Sequence, residues 1–471
     1  TTQEHTHTFD IATTAYLPAE SVSFPAMRSL TLLAGGDALL VTTPSARGST
    51  QVARLASEAH SVDQLGEYDF YPFDGEPCAQ SVTPLITGDM LAIFAQGLEG
   101  RGESLGAVAV GVDPPSVAPV SGLDGLSAGH SATTLADGTL LLVGGAEPAR
   151  VFDPRTGAVE SVAALAAPRV DHSATRLADG AVLVAGGGRD GAELFEPATQ
   201  SFTAVDLDIL PRSRHASVLA SDGRVWLMGG CDGCPFEAVD VRSGLVDQIP
   251  APAVGPAKAT PLMDGRILVA SRLIVGGPTA LLVLDPASGI VTEMEMEVLP
   301  TPAASLTLLP SGRVLAVTEA GKLWLVDVVA RRARQVGSVE APFCPRGGRT
   351  LDGGVLMVGA HPNVAFFSLW REISPPDPSW RPVLSPDSGE VTVGDTIMLR
   401  GSNLLGLSET TDHPSSGRSN HPVAVFMPFD GFPTLGGMRD WSATTASYRS
   451  GRPRGVGPGT LYTMVAGQVA G

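Results

Sequence analysis

Short apolar runs bounded by Gly, Pro or Asp recur along this chain, and none is long enough or suitably spaced for an amphipathic helix. The clearest is "HSATTLADGTLLLVGG" from His130, which returns as "HSATRLADGAVLVAGG" from His172 and "HASVLASDGRVWLMGG" from His215. Each reads as strand, Asp-Gly turn, strand, because Asp-Gly supplies the positive φ a tight hairpin needs. The same template fits from Arg28, Gln80, Ala257, Ala304 and Arg346, making eight copies in all. A second hairpin follows in most of them, as in "VFDPRTGAVESV" (151–162) and "LFEPATQSFTAV" (194–205). The repeat is therefore a four-stranded antiparallel sheet of about 45 residues. Such a sheet cannot bury both faces alone, and radial stacking of several around an axis solves that problem.

The pattern predicts an all-β propeller over residues 1–374, with eight blades by repeat count and seven if an N-terminal copy is out of register. The last copy reaches "VAFFSL" (364–369) and runs out before a fourth strand, while "HTFDIATTAYLP" (7–18) stands as an orphaned outer hairpin. Pairing these two pieces in one blade would close the ring and leave no free sheet edge. Beyond the Pro-rich stretch "SPPDPSWRP" (374–382) the style changes to "SGEVTVGDTIMLRGSNLLGLSE" (388–409), an alternating strand pattern around a turn at Gly394-Asp395. Residues 377–471 are expected to form a second domain behind a stiff linker.

The Gly pairs Gly144-Gly145, Gly186-Gly187 and Gly229-Gly230, with Pro168, Pro211, Pro300 and Pro342 four residues before strand starts, resemble the kelch family of β-propellers. The outer-strand Trp of a kelch blade is replaced here by residues such as Val159 and Phe202. The tail resembles an early-set immunoglobulin-like sandwich, and "GLSETTDHPSSGRSNHPVAVF" (406–426) is similar to that domain in secreted bacterial kelch proteins. The combined layout resembles the galactose oxidase and glyoxal oxidase family. That likeness implies one copper held by two Tyr and two His, with a Tyr-His pair at the start of a blade's first strand.

The residues before the strand starts do not carry it. They are Gly129, Asp171 and Arg214 before the three histidines, and Met27, Ala79, Pro256, Ala303 and Pro345 elsewhere. The chain's five tyrosines (Tyr16, Tyr68, Tyr71, Tyr448, Tyr462) are never followed by His. Gly or Asp cannot stand in for a phenolate that carries a ligand radical, so no copper-radical chemistry is expected. His130, His172 and His215 could in principle bind another metal. The reading adopted is structural, with each pinning the start of an inner strand through hydrogen bonds. His5, His7, His413 and His421 have no matching carboxylate or Cys spacing and read as loop residues. No nucleophile elbow, phosphate loop or His-Glu-x-x-His motif occurs, so no catalytic residue and no cofactor is expected.

Charge and cysteines narrow the setting. A net charge of −18 opposes nucleic acid, and the run "RRAR" at 331–334 reads as a solvated strand edge. No apolar run reaches the length of a membrane span. "GCDGC" at 230–234 has no second Cys pair to complete a zinc site, so a Cys231–Cys234 loop disulfide is expected. Cys78 and Cys344 each lie two residues before a strand start, in the second and eighth copies. In a closed ring those copies flank the first, so a Cys78–Cys344 bridge would staple the closure. Two disulfides and a start at Thr1 suit a mature chain at the cell surface or outside the cell. The expected function is a non-enzymatic binding or structural scaffold for a surface protein or glycan, or for self-assembly. The rival is a metal-dependent enzyme or a carbohydrate-active, oxidase-like protein with its site on the propeller axis.

Overall fold

The computed structural model describes most of residues 78–385, the strands Met27–Leu32, Ala38–Thr42, Gln51–Leu55 and His60–Asp69 before them, and strands of the tail up to 469. Every regular element among these residues is a β-strand, and all the pairings are antiparallel. Seven sheets have four ring strands each, and their inner strands stand side by side in a closed cycle. Those inner strands are Cys78–Pro84, Ser131–Thr134, His172–Arg176, Ala216–Leu219, Val254–Pro261, Ala303–Leu308 and Phe343–Arg349, one each for blades 1 to 7. The last lies against the first.

Among the described residues this matches the seven-blade alternative and not the count of eight. The copy from Arg28 does form a hairpin, but it belongs to a separate three-stranded sheet whose strands pair with none in the ring. The fourth strand of blade 7 is His60–Asp69, which runs along Val364–Glu372 from Val364↔Asp69 to Glu372↔His60. That edge was expected for residues 7–18, which lie outside the described residues.

The core is distributed as one apolar wedge per blade interface. In blade 2, Leu140 and Leu142 of strand Leu140–Val143 face blade 1, while Leu141 and Val143 face blade 3. Side chains alternate across a strand, so a strand buried on both faces must be apolar at every position. That is why "LLLV" is continuous rather than alternating. The turns follow a slightly different rule from the one expected. Only the Gly of each Asp-Gly takes positive φ, for example Gly138 (84°) and Gly180 (96°). The Asp instead accepts a backbone N–H two residues on, as Asp137 does from Thr139 at 3.0 Å and Asp222 from Arg224 at 3.0 Å.

The structure joins Cys78 to Cys344 and Cys231 to Cys234, and no described cysteine is free. Because the Arg28 copy stands outside the ring, Cys78 and Cys344 sit on directly adjacent inner strands and bridge the seam itself. The Cys231–Cys234 loop adds a short strand to blade 5 through Cys231↔Gly255. The tail forms two small sheets, one from Val383–Leu384, Thr396–Ser402 and Thr445–Arg449, the other from Val423–Pro428, Thr434–Gly437, Gly459–Val465 and Gln468–Val469. Leu399, Met438, Trp441 and Tyr448 join the wedge between blades 3 and 4, alongside Leu177 and Leu219.

Candidate functional site

Each inner strand starts at one end of the ring, and the residues just before those starts form the mouth of the axial channel. In blades 2 to 4 these are Gly129, Asp171 and Arg214, with φ of 78°, 56° and 56°. This left-handed turn is held by a spiral of backbone hydrogen bonds from blade to blade. Asp171 donates to the carbonyl of Gly129 at 2.9 Å, Arg214 to that of Asp171 at 2.9 Å, and Ala257 to that of Arg214 at 3.2 Å. Non-Gly residues seldom take this conformation, and here it is fixed on both sides by neighbouring blades.

Behind the rim the three blade-start histidines are fully buried. Each Nε2 meets a serine hydroxyl of the preceding blade: His130 with Ser81 at 3.1 Å, His172 with Ser131 at 2.8 Å, His215 with Ser173 at 2.8 Å. The "HS" dipeptide is thus a two-sided joint, its His reaching back one blade and its Ser receiving the next. The Gly pairs make room for it. A Cβ on Gly186, whose φ is 71°, would stand 2.7 Å from the His215 ring, and one on Gly230 would stand 2.7 Å from the His215 Cβ. Two buried ion pairs brace the segments leading into these joints. Arg169 meets Glu193 at 3.3 Å and the Gly186 carbonyl at 2.7 Å, and Arg212 meets Glu237 at 2.5 Å and the Gly229 carbonyl at 2.9 Å.

Burial disfavours the charged imidazole, lowering His130 to about 4 and His172 to about 3, with Arg169 adding repulsion at His172. His215 is lowered well below its usual value for the same reason, with Arg212 adding repulsion. The unfolded chain therefore binds more protons than the folded one below pH ~6.5, so stability falls as pH drops from there towards 4 and 3. Three such groups give a slope approaching roughly 4 kcal/mol per pH unit. The urea midpoint should accordingly drop steeply between pH 6.5 and 5, before most carboxylates titrate. His172→Asn should flatten that fall by about a third. An unchanged slope in the variant would rule out this origin.

The mouth opens onto a cavity of about 870 Å³ lined by all seven blades. Its charged lining residues are Asp171, Arg214, Lys258, Arg272, Glu319 and Arg346. Arg214 Nε lies 3.1 Å from Asp171 Oδ2, and the pair is partly open to solvent. No Tyr or His side chain among the described residues lines the cavity, and Cys78 is held in its disulfide. Among the described residues, no three His, Cys, Asp or Glu side chains are grouped to hold a metal. His5, His7, His413 and His421 lie outside the described residues. Sequence reasoning inspected the rim positions for tyrosine alone; of those positions only Asp171 and Arg214 are charged, and the cavity's other charges, Lys258, Arg272, Glu319 and Arg346, come from elsewhere in the blades.

No protein-family model and no curated protein matches this chain. Solved structures do match its fold. Virginiamycin B lyase from Staphylococcus aureus, a catalytically inactive H270A form with quinupristin, aligns with TM-score 0.53 at 13% identity, covering 66% of this chain and 99% of that one. A streptogramin B lyase gives TM-score 0.51 at 13% identity, over 66% of this chain and 98% of that one. A fungal alcohol oxidase of the AA5 family, in complex with copper, gives TM-score 0.51 at 14% identity over 88% of this chain and 98% of that one. At such identities the likeness is one of fold. The chain is an all-β, propeller-like scaffold built from small antiparallel sheets.

Proposed function

We propose that this is a non-catalytic binding protein of the cell surface or exterior, a kelch-like propeller with an immunoglobulin-like sandwich appended, which receives a protein or glycan at its axial mouth. The observation that carries this reading is the commitment of the three blade-start histidines. Imidazole is the side chain best suited to proton transfer near neutral pH. Here all three at the blade starts are buried against serines of neighbouring blades. What lines the cavity instead is a set of charged side chains, with Asp171 and Arg214 on a braced rim, which suits holding a ligand. Two disulfides favour an oxidising compartment.

The rival reading, an oxidase-like enzyme, draws on the similarity to the copper alcohol oxidase across most of the chain. Incubation with copper and primary alcohols, aldehydes or galactose separates the two. No hydrogen peroxide above a heat-killed control is expected. Sustained peroxide would overturn the non-catalytic reading.

A further inference from the structure

We infer that the axial mouth is an oxyanion site, taking a small ligand that carries a carboxylate or an equivalent anionic oxygen group, such as an acidic sugar. This rests on the binding reading of the same site and narrows it to a ligand class. The first support is a local reversal of charge. The whole chain carries −18, yet the cavity lining holds four cationic side chains against two carboxylates. A concave, protein-walled mouth concentrates such a field and raises the local concentration of small anions.

The second support is a pair of buried donors at the upper end of blade 5. Arg272 ends the strand Ile267–Arg272 and stands directly across from Thr279 at the start of the next strand. The Nε of Arg272 and the hydroxyl of Thr279 are both buried and meet no hydrogen-bond partner in the structure, and both residues line the cavity. Thr279 is only 2% exposed. Buried polar groups in native proteins are paired, so two orphan donors on cross-strand residues that line one cavity favour an acceptor that their side chains turn to meet. Both can donate, and an oxyanion can accept from both.

Arg214 completes the arrangement from the far side of the mouth. Its rim position is fixed by backbone bonds to two neighbouring blades. Asp171 engages its Nε and leaves the outer edge of the guanidinium for a second carboxylate-like group. Lys258, on the inner strand of blade 5, and Arg346, on that of blade 7, carry the charge around the ring. The strong net negative charge argues against a polyanion, because the rest of the surface would repel it. A cavity of about 870 Å³ fits a ligand of two or three sugar units. Among its described lining residues there is no aromatic ring for stacking on a neutral sugar face.

The test is calorimetric titration of the full chain with trigalacturonate, its neutral galactose counterpart and inorganic phosphate. Trigalacturonate should bind, and the neutral trisaccharide should bind at least about tenfold more weakly. R272Q and R214Q should each weaken trigalacturonate at least about tenfold while melting as the parent does, and affinity should fall with added salt. Phosphate that binds and competes assigns the site to anionic oxygens in general, whereas trigalacturonate binding without phosphate assigns it to sugar carboxylates. Failure of both acidic probes to bind, or equal binding by parent, R272Q and R214Q, overturns the proposal. Cleavage or oxidation of the trisaccharide, seen by mass spectrometry, would leave the site standing and overturn the non-catalytic reading instead.

Discussion

A chain that starts at residue 73 is expected to aggregate or to melt at least ~10 °C lower than the full protein, whereas one that starts at residue 58 should keep its ring. The difference between them is the strand His60–Asp69, which supplies the outer edge of blade 7. Without it, Val364–Glu372 becomes an unpaired edge along its whole length. Backbone hydrogen bonds contribute about 1 kcal/mol each when netted against water, so losing such a ladder costs on the order of 5 kcal/mol. For a domain this large, each kcal/mol moves the melting point by roughly 2–4 °C. The Cys78–Cys344 bridge still tethers the seam in the shorter chain, so the loss should deepen under reducing conditions. Size-exclusion chromatography and thermal melts of both truncations, oxidised and reduced, decide the matter. Collapse of the chain starting at 58 would place the closing strand upstream, where the orphan hairpin at 7–18 suggested it.

The repeat unit was legible because it is local. A run such as "LLLV", the Asp-Gly turn and the Gly pairs each answer to constraints within one sheet or against its neighbour, and they recur wherever a blade does. Ring membership is not local. The stretch from Arg28 satisfies the hairpin template as well as any degraded copy, yet its sheet stands apart from the ring. The strand that closes the ring, "HSVDQLGEYD", carries no turn mark and pairs with residues about three hundred positions away, so no short-range pattern pointed to it. The histidine joints were half visible. The recurrence of His130, His172 and His215 suggested pinning by hydrogen bonds, but the partner is the serine one blade earlier, and only the fold brings the two together. The cavity charges were hidden for another reason. Lys258 and Arg272 lie on different strands of one blade and Arg214 and Arg346 on two other blades, so their convergence is a property of the ring and of no contiguous segment.

Replacing Trp441 by Ala is expected to cost about 3–5 kcal/mol in a single cooperative unfolding transition that includes the ring. A Pro-rich stretch before residue 383 suggests a tail that folds alone, and a tail of that kind would melt separately. The packing argues for the opposite. Trp441 is buried, and its ring lies 5.1 Å from the guanidinium of Arg176, at the end of the inner strand of blade 3. Arg176 also donates to the carbonyl of Met438, and Asp440 N–H donates to Ala178 O at 2.6 Å. Leu177 and Ala181 of the ring share one apolar wedge with Leu399, Ala446 and Tyr448 of the tail. Removing the indole leaves a cavity in that shared wedge and strips the cation–π partner from a buried guanidinium, two losses that fall on ring and tail together. Trp441→Phe keeps an aromatic face and most of the volume, so it should cost only about 1 kcal/mol. Urea unfolding followed by fluorescence in the Trp441 variants, where Trp226 and Trp370 are buried within blades, weights the ring, and far-UV circular dichroism reads the whole chain. Coincident transitions shifted together support a shared core. A ring transition left in place by Trp441→Ala, with only a separate tail transition moved, would show that the two units fold independently.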